Sequence, residues 1–594
     1  MPAILRSFRH RASGQPSLLL AALTLAACRD DQSVAPTATD VPIAVRSAIA
    51  ADAPGASATV NVTVPASMRS APFNTARTLV VPPGFSAAVY ARVPGARFML
   101  ALSNGDLLVS NPGAGTVYLV RPRGSADPTV TAWASGLYRP HDLVLHTVGA
   151  QPYVYVAEGD RITRYAYTAG DSVGQGKETI ITGLPSARSP ELGGSYGHEL
   201  KNIALEGDNL YVSVASISNA DPADVTAAFP RAAIHLYSAS GSYRSVFARG
   251  IRNAEGLAIL PASSTLWAVV NNRDNIPYPF HNDFTGDGTD DYGKVLTAYV
   301  DNHPPEEFIR VTSGANFGWP YCNPNPDNGL DDMPFDRDVG TNADGTRLDC
   351  AAATRVHKGI QAHSAPLGML FFQGTTAPLA YRDGAAVALH GSWNRSQPTG
   401  YKIAWFPWDL ASSRPGPQVD LFIGWLVGGS AWGRPVDVAV DAAGGILVSD
   451  DASGTIYRFT YNESPPPVAP SVSGFTLINA DTDLPISAFD PLVDGAVLEL
   501  SKLPTRRLNI RANTSPATVG SVRFGLNGNS AYFTDNTAPY ALAGGTNTDY
   551  APWTPTVGGY TLTATAFSGA DAGGTGSSVR TVNFTVVEKR KGRR

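Results

Sequence analysis

The stretch KNIALEGDNLYVSVAS, residues 201–216, carries the local pattern from which the fold of this chain can be predicted. Leu210, Val212 and Val214 fall on one face of an extended segment, and the residues between them fall on the other face. Alternation with a period of two is typical of a β-strand with one face in a protein core. A turn containing glycine, aspartate and asparagine precedes this strand, so the stretch predicts two strands joined by a tight turn.

The same pattern recurs along the chain at regular spacing. A strand, a polar turn, a second strand and usually a third strand appear in five segments, which begin at Phe98, His141, Lys201, Glu255 and Val436. A sixth, divergent unit is visible in APLGMLFF, GAAVALHGSW and YKIAWFPW. Six such units predict an all-β protein in which residues 78–462 form a six-bladed β-propeller. A pair of β-sandwiches is the alternative, but the spacing of the units is too regular to favour it.

An early segment offers a way to close the ring of blades. GFSAAVYARV, residues 84–93, has the alternation of a strand but precedes the first unit. We expect it to pair within the last blade, because that pairing removes an exposed sheet edge.

The N-terminus has the features of a bacterial export signal. Three arginines precede an apolar segment, residues 17–27, that is too short to span a bilayer. The LAAC sequence that follows resembles a lipobox, so residues 1–28 are predicted to be a lipoprotein signal peptide with lipid on Cys28. An ordinary secretory signal with an incidental cysteine is the alternative. Residues 29–77, rich in Ala, Pro, Ser and Thr, predict a flexible tether between lipid and body.

Charge and cysteine content limit the partners of the exported chain. Loss of the signal's three arginines takes the formal charge from −5 to −8, which makes the mature chain a poor nucleic-acid binder. With Cys28 lipidated, Cys322 and Cys350 remain, and in an oxidising compartment we expect them to form a disulfide. Two free buried thiols are the alternative. The chain has no CxxCH motif, so no c-type haem is attached to it.

The last part of the chain has a different texture. Residues 463–470 contain SPPPVAP and predict a stiff proline-rich linker. Residues 471–588 alternate in short strands without a helix signal, which is the size and pattern of an immunoglobulin-like β-sandwich. The final KRKGRR, residues 589–594, predicts a solvated basic tail.

Basic residues recur at the starts of the repeated units, where the inner strands of a propeller converge on one channel. Six of them would line the mouth of that channel: Arg139, Arg252, Arg273, Arg395, Lys402 and Arg434. Such a cluster suits a multiply charged anion, because guanidinium groups bind carboxylates in a bidentate fork. The alternative is that arginines pair with nearby acids: Arg252 with Glu255, Arg273 with Asp274, and Arg434 with Asp437.

Several of these segments carry a family resemblance. The chain resembles the glucose/sorbosone dehydrogenase family of quinoproteins, in its L-sorbosone dehydrogenase-like branch, over about residues 78–461. The resemblance rests on seven segments in order: GHELKNIALEGDNLYVSV, RGIRNAEGLAI, LWAVVNNRDN, NFGWPY, HSAPLGMLFF, ALHGSWNRSQPTGYKI and GRPVDVAVDAAGGILVSDD. The ordered set is more specific than any one segment, and the C-terminal sandwich lies outside it.

The resemblance implies a cofactor and a set of site residues. It implies a six-bladed propeller that carries pyrroloquinoline quinone (PQQ), a planar tricarboxylate, usually with Ca²⁺. His198 would be the general base that takes the substrate hydroxyl proton, and Arg252 and Asn253 would hydrogen-bond the quinone. The matched motifs add further cofactor-binding residues: Arg273, Asp274, His390, Trp393, Asn394, Arg395, Lys402 and Arg434.

The family resemblance does not assign a role to some residues. Soluble glucose dehydrogenases have a neutral residue where Glu255 stands, so Glu255 either pairs with Arg252 or supports a metal. The acid that would orient the catalytic histidine is not evident, and Asp221 is one possibility. His363 and His390 belong to the family motifs, where they serve either the cofactor or the scaffold.

A calcium site is suggested independently of the family. NDFTGDGTDD, residues 282–291, places Asp283, Asp287 and Asp291 at positions one, five and nine of a loop with glycine at position six. Carboxylate oxygens are the ligands that Ca²⁺ prefers, although Thr285 is a poor ligand at position three. A solvated acidic loop is the alternative.

These observations predict a PQQ-dependent oxidoreductase that oxidises an aldose or related sugar, sorbosone-like or pyranose-like, at a CH–OH group. Electrons would pass to a separate acceptor, a cytochrome or the quinone pool, and the lipid would hold the enzyme at the periplasmic side or outer membrane of a bacterial envelope. Two alternatives stay open. A calcium-dependent, lactonase-like propeller hydrolase needs a carboxylate-dominated metal site in the channel, and a non-catalytic glycan-binding propeller needs no cofactor and no His198.

Overall fold

The computed structural model describes residues 57–261, 263–372, 381–409, 412–462, 470–546 and 549–588. The predicted signal and lipidation site, most of the linker and the basic tail lie outside these residues. The described part is nearly all β, with two short α-helices, α1 (Pro222–Thr226) and α2 (Thr297–Val300). Single 3₁₀ turns occupy five further segments: Ala66–Met68, Pro190–Leu192, Cys350–Ala352, Ser487–Phe489 and Ala570–Ala572. None of the helices found in these residues is long and apolar enough to cross a membrane.

The first three strands show that part of the predicted tether, residues 29–77, is folded. They are β1 (Ala58–Thr63), β2 (Thr78–Val81) and β3 (Phe85–Arg92). β1 pairs with β2 in antiparallel and with β3 in parallel orientation, and Met68 and Phe73 are buried between β1 and β2 in sequence. The part of the tether after residue 56 is therefore folded, because the alternating ATVNVT segment extends a sheet and two apolar side chains reach the core.

Three consecutive four-stranded antiparallel sheets follow, each with its strands in sequence order. The first contains β4 (Met99–Ala101), β5 (Leu107–Asn111), β6 (Thr116–Arg123) and β7 (Ala126–Ser135). The second contains β8 (Leu143–Val148), β9 (Gln151–Ala157), β10 (Arg161–Ala166) and β11 (Gln175–Thr182). The third contains β12 (Asn202–Glu206), β13 (Asn209–Val214), β14 (Ala233–Ser238) and β15 (Tyr243–Arg249). The strands of the opening repeat are thus β12 and β13.

The next two sheets carry longer insertions. The fourth, ordered β16-β17-β18-β22-β20, accompanies a separate β19–β21 hairpin. These strands are β16 (Ala254–Leu260), β17 (Thr265–Val270), β18 (Glu306–Val311), β19 (Cys322–Pro324), β20 (Asp331–Met333), β21 (Phe335–Arg337) and β22 (Val356–Ile360). The fifth sheet and a small β28–β29 hairpin use β23 (Pro366–Phe371), β24 (Gly384–Leu389), β25 (Lys402–Asp409), β26 (Arg414–Pro415), β27 (Val419–Phe422), β28 (Leu426–Val427) and β29 (Ser430–Ala431).

The last sheet of this region joins both ends of the repeats. It contains β30 (Pro435–Val440), β31 (Ile446–Asp450) and β32 (Thr455–Tyr461), in the order β2-β1-β3-β32-β31-β30. β3 pairs with β32 from Phe85 opposite Tyr461 to Arg92 opposite Thr455. This pairing confirms that the early strand enters the last repeated unit, where it covers the edge of β32.

Six inner strands form a closed ring. β4, β8, β12, β16, β23 and β30 each contact the next strand of this series, and β30 contacts β4. Separate hydrophobic clusters fill the spaces between neighbouring sheets, such as Leu108, Trp133 and Val154 between the first two sheets. A cavity of about 450 Å³, here called the channel cavity, is lined by residues of all six inner strands. The sheets therefore surround one axis, and side chains distant in sequence meet along it.

The C-terminal region forms two sheets over one core. It contains β33 (Ser471–Asn479), β34 (Leu484–Pro485), β35 (Ala496–Glu499), β36 (Leu508–Ser515), β37 (Ser521–Leu526), β38 (Asn529–Asp535), β39 (Gly545–Thr546), β40 (Asp549–Tyr550), β41 (Gly558–Phe567) and β42 (Arg580–Val587). The sheets are β34-β33-β36 and β35-β42-β41-β37-β38, with a β39–β40 hairpin. Leu477 and Ile510 of one sheet pack with Phe524 and Leu562 of the other, as the alternating strands predicted.

The predicted disulfide is present. Cys322 and Cys350 are bonded and link β19 to the 3₁₀ turn before β22. Both cysteines are buried against the core of the fourth sheet.

Candidate active site

A pocket opens at the end of the ring where loops precede the inner strands. His198 lies in the loop before β12, and Arg252 and Asn253 immediately precede β16. The side chains that line this mouth pocket are His198, Arg252, Asn253, Asn271, Asn272, Asp274, Glu306, His363, Ala365 and Trp393. Five predicted site residues therefore meet in one place: His198, Arg252, Asn253, Asp274 and Trp393.

The His198 ring is oriented by Ser216, which lies just after β13. Its Nδ1 lies 3.0 Å from the Ser216 carbonyl oxygen and 2.9 Å from Ser216 Oγ. Ser216 Oγ itself donates to the Ser218 carbonyl, so Nδ1–H is the donor toward Ser216. Burial, together with the nearby Arg252 guanidinium, lowers the pKa of His198 to about 4. The ring is therefore neutral at pH 7, with its Nε2 lone pair available to accept a proton.

Asp221, the residue considered for orienting this histidine, has another role. Its side chain accepts a hydrogen bond from the Ala223 amide at 2.8 Å and caps the start of α1. The partner of the His198 Nδ1 atom is Ser216, not a carboxylate, so Asp221 does not fill the role considered for it.

Arg252 is buried beside His198 and is held from several sides. It donates to the Asn219 and Asn271 carbonyl oxygens, each at 3.2 Å, and lies 3.4 Å from the Asp274 carboxylate. Burial lowers its pKa, but an arginine remains protonated at neutral pH. Asp274, not Glu255, is thus the acid that balances this guanidinium.

His363 is a second imidazole in the mouth pocket. Its Nε2 lies 2.8 Å from the Val300 carbonyl, and its Nδ1 lies 3.6 Å from the Asp274 carboxylate. Burial works against protonation, but the contact with Asp274 and the charge of Glu306 outweigh it and raise the pKa of His363. The two histidines of the pocket therefore have opposite tendencies, one toward the neutral and one toward the charged form.

Glu306 shapes the loops around the pocket. Its buried carboxyl group accepts from the Asn272 amide at 2.6 Å and from the Ala365 amide at 3.2 Å. Burial raises its pKa to about 7. It thereby joins the loop after β17 to the start of the next sheet.

An axial cluster of buried polar side chains continues inward from Asn253. Asn253 donates to Glu255 at 3.2 Å, and Glu255 lies 3.7 Å from His141. Arg97 contacts His141 at 3.3 Å and pairs with Asp451 at 2.8 Å. Asp451 in turn contacts His390 at 2.9 Å, so His390 belongs to this cluster and does not line the mouth pocket.

Several buried atoms around the axial cluster have no hydrogen-bond partner among the described residues. They include Arg97 Nε and Glu255 Oε2. Burying an unpaired polar group is costly, so unpaired groups grouped at one site indicate a polar guest or ordered water.

The remaining predicted cations have partners elsewhere in the protein. Arg273 pairs with Asp338, Lys402 lies 2.5 Å from Asp420, and Arg395 donates to the Asp301 backbone. Arg434 donates to the His390 and Gly391 carbonyls at 3.1 and 2.9 Å. These four residues and Asn394 are not among the residues that line the mouth pocket. The alternative pairs, Arg252–Glu255, Arg273–Asp274 and Arg434–Asp437, are not formed either, because each arginine reaches a partner from another loop or a backbone carbonyl.

The aspartates of the predicted calcium loop are engaged in local hydrogen bonds. Asp283 accepts from the Gly286 and Gly288 amides, Asp287 accepts from Thr289, and Asp291 accepts from Thr285 and Lys294. Within the described ranges, no three His, Cys, Asp or Glu side chains are arranged to hold a metal ion. The three carboxylates therefore do not form the predicted ligand group, because each one caps its own turn.

Four polar residues of the pocket, and Ala365, were not predicted as site residues. Asn271 and Asn272 follow the buried strand β17, and Glu306 stands at the start of β18, beyond a long insertion. The consecutive asparagines after an apolar strand were a usable signal, since polar residues at strand ends commonly carry function. Glu306 and His363 offered no local signal that distinguishes the pocket from the scaffold.

Comparisons with known proteins agree with this architecture. The solved structure of the holo form of the pyranose dehydrogenase PQQ domain from Coprinopsis cinerea is 21% identical, with a TM-score of 0.52, over 64% of this chain and 97% of that one. The iodide structure of Trichoderma reesei Carbohydrate-Active Enzymes Family AA12 is 19% identical, with a TM-score of 0.52, over 65% of this chain and 98% of that one. At these identities the likeness supports the fold.

Sequence comparison shows one partial relative and one family match. An uncharacterized protein of Borreliella burgdorferi is 30% identical over 225 residues, 37% of this chain and 49% of that protein, so the chain spans about half the length of that relative. The TrAA12-like family matches residues 79–462, the region that holds the ring of sheets and the mouth pocket. Because the match covers well over half of the chain, the protein belongs to the TrAA12-like family.

Proposed function

We propose that the protein is a PQQ-dependent oxidoreductase that oxidises a sugar at a CH–OH group. The observation that carries the proposal is a neutral, oriented His198 beside a buried Arg252 at the mouth of a ring-shaped domain. The family match and the fold shared with a pyranose dehydrogenase PQQ domain support the same reading. A sorbosone-like or other aldose substrate is the expected sugar class.

The residues at the mouth fit a planar polyanion with quinone oxygens. Arg252 and Asn253 line the pocket, and Arg97 Nε in the adjoining axial cluster is a buried donor without a hydrogen-bond partner among the described residues. These residues would hold PQQ, whereas Arg139, Arg273, Arg395 and Lys402 already have partners within the protein. When bound, the quinone supplies the hydride acceptor that no amino-acid side chain provides.

The chain's own residues supply the proton chemistry. His198 Nε2 accepts the proton of the sugar hydroxyl, while Nδ1–H stays bound to Ser216. The Arg252 guanidinium stabilises negative charge that develops in the pocket, and Asp274 holds that guanidinium in place. The negative charge of Asp274 stabilises the protonated His198 ring, because it raises the pKa of His198 against the effect of burial.

Neither alternative gains support from the structure. A lactonase-like hydrolase requires carboxylates gathered around a metal in the channel, and the described residues contain no such ligand group. A glycan-binding propeller has no need for a buried imidazole with a free acceptor nitrogen.

The decisive experiment adds PQQ to the purified full chain, with and without Ca²⁺, and measures binding by calorimetry and sugar-dependent reduction of a redox dye. We expect binding and dye reduction in the wild type. His198→Ala should bind PQQ yet turn over about 10²- to 10⁴-fold more slowly. Absence of PQQ binding would refute the quinoprotein proposal, and normal turnover by His198→Ala would refute the base assignment.

We also propose the wider context of this enzyme. The six sheets are taken as the blades of a six-bladed propeller, and the C-terminal sheets as an immunoglobulin-like sandwich. Lipid on Cys28 would anchor the enzyme in the bacterial cell envelope, where a cytochrome or the quinone pool would accept electrons. Incorporation of labelled palmitate into the wild type, but not into Cys28→Ala, tests the anchor.

A further inference from the structure

Glu199, which follows His198 in the chain, has its charged side chain buried and surrounded by partners. Its Oε1 accepts from the Tyr138 hydroxyl at 2.5 Å and from the Ala187 amide at 2.8 Å. Its Oε2 lies 3.3 Å from the Arg139 guanidinium. A buried carboxylate is stable only while its donors stay in place, so these contacts fix Glu199 relative to Tyr138, Ala187 and Arg139.

The Tyr138 ring links this carboxylate to the rim of the domain. The Arg188 guanidinium stacks 3.4 Å from the centre of the ring, while the hydroxyl on the other end donates to Glu199. Tyr138 therefore joins the loop before β8 to the segment that carries His198. This contact spans two neighbouring sheets of the ring.

The residues that precede His198 are also hydrogen-bonded to the segment that follows β13. The Tyr196 hydroxyl donates to the Ala215 carbonyl at 2.5 Å, and the Gly197 amide donates to the Ile217 carbonyl at 2.7 Å. A Cβ at Gly197 would lie 2.7 Å from that same carbonyl oxygen, so only glycine permits the approach. The fully buried Lys201 ammonium donates to the Glu199 carbonyl and lies 4.7 Å from the centre of the Tyr196 ring.

The attachment matters because His198 lies in a loop and not in a strand. Gly193 and Gly194, just before it, both have positive φ, and β12 begins only at Asn202. A catalytic group on a loop needs neighbouring contacts to hold it in the productive geometry. Glu199 supplies contacts with Tyr138 and the Ala187 amide, in addition to the contact between the ring and Ser216.

We infer that Glu199 is a positioning residue that, through Tyr138 and the Ala187 amide, sets the orientation of the His198 imidazole. The inference rests on the proposed function, in which His198 is the base. It assigns no contact between Glu199 and the sugar or the quinone.

The test compares Glu199→Ala, Glu199→Gln and Tyr138→Phe with the matched control Tyr155→Phe. Tyr155 is buried, and its hydroxyl donates to the Ala239 carbonyl at 2.7 Å, in a contact that does not include the His198 segment. Nitrogen NMR of the ten histidines, with His198→Gln to assign the signal, reports the ring tautomer. Steady-state kinetics with PQQ-loaded protein separate kcat from KM.

In Glu199→Ala we expect a mixture of His198 tautomers and a kcat lowered roughly 10- to 100-fold, with KM and PQQ affinity within about twofold of wild type. Tyr138→Phe should shift both readouts in the same direction, and Glu199→Gln should restore part of the loss because its amide oxygen still accepts hydrogen bonds. Tyr155→Phe should leave the His198 signal unchanged.

Unchanged His198 signals and kcat in both Glu199→Ala and Tyr138→Phe would overturn the inference, as would equal changes in Tyr155→Phe. If Glu199→Ala does not fold, Tyr138→Phe decides the matter. If the wild type does not oxidise sugars, the proposed function fails by that measurement, while the tautomer comparison still reports whether Glu199 orients His198.

Discussion

The mouth pocket and the channel cavity are both lined by residues on or next to the inner strands, yet their buried polar groups behave differently. In the channel cavity, Asp142 accepts from the Leu143 and Ile203 amides, and Asp437 accepts from the Met99 amide. Each carboxyl group therefore joins its own inner strand to the next one around the ring. At the mouth, His198 keeps a free acceptor nitrogen, and atoms of the adjoining axial cluster have no partner among the described residues.

This comparison shows that a shifted pKa does not by itself identify a functional group. Burial raises the pKa of Asp142 to about 8 and that of Asp437 to about 7, while it lowers the pKa of His198 to about 4. The aspartates nevertheless use their oxygens to hold the backbone. Unused hydrogen-bonding capacity, not the pKa shift, distinguishes the mouth pocket from the channel cavity.

The largest expected effect is on the free energy of unfolding, and it concerns one aromatic side chain in the channel cavity and one in the mouth pocket. Phe98 in the channel cavity is 5% exposed, whereas Trp393 at the mouth is 72% exposed. Phe98→Ala should lower the free energy of unfolding by about 3–5 kcal/mol, because it leaves a hole between inner strands. Trp393→Ala should change it by less than about 0.5 kcal/mol. Urea denaturation of both variants measures the difference. Equal losses of unfolding free energy would contradict the distinction between the mouth pocket and the channel cavity.

A smaller effect is expected from the carboxyl groups that join the inner strands. Asp437→Ala should cost about 1–3 kcal/mol, because the Met99 amide loses its acceptor, whereas Asp437→Asn should cost less since an amide oxygen can still accept. Activity per folded molecule should stay close to wild type in Asp437→Asn. Denaturation and dye-reduction assays check both statements, and a selective loss of turnover would show that Asp437 serves the reaction.

The smallest expected effect is a pH dependence of stability. The folded-state pKa of Asp142 is about 8, above the ordinary value of about 4 in an unfolded chain, so the folded state binds more protons between these limits. Its contribution to stability is therefore complete below about pH 4 and declines as the pH rises toward 8. Lys201, with a folded pKa of about 7, acts in the opposite sense and favours folding as the pH rises above 7.

Melting temperatures between pH 5 and pH 8 test this sign. Asp142→Asn should weaken the decline relative to wild type, and the exposed Asp549→Asn should leave it unchanged. A steeper decline in Asp142→Asn would contradict the assignment of a protonated carboxyl group in the folded ring.

Local sequence patterns predicted much of the fold correctly. The alternating residues of 201–214 became β12 and β13, and the early strand paired with β32 as expected. The Cys322–Cys350 pair also formed. The predicted tether was wrong after residue 56, because its composition masked an alternating strand whose partners, β2 and β3, come later in the chain.

The site was predicted less completely. Motifs located His198, Arg252 and Asn253, which line one pocket. They also placed Arg273 and Lys402 with the cofactor, although these residues pair with Asp338 and Asp420. Glu199 and Glu306 were not predicted at all, because their partners come from loops that lie far away in sequence.

The sequence by itself determined the strands and the repeated units, and it singled out His198 as the candidate base, because hydrophobic alternation and motif order are local properties of the chain. Only the tertiary structure decided which cations face the mouth pocket and which are neutralised. The physical reason is that a charged side chain is balanced by whichever acceptor folding brings within reach, and closure of the ring brings together loops that are tens to hundreds of residues apart.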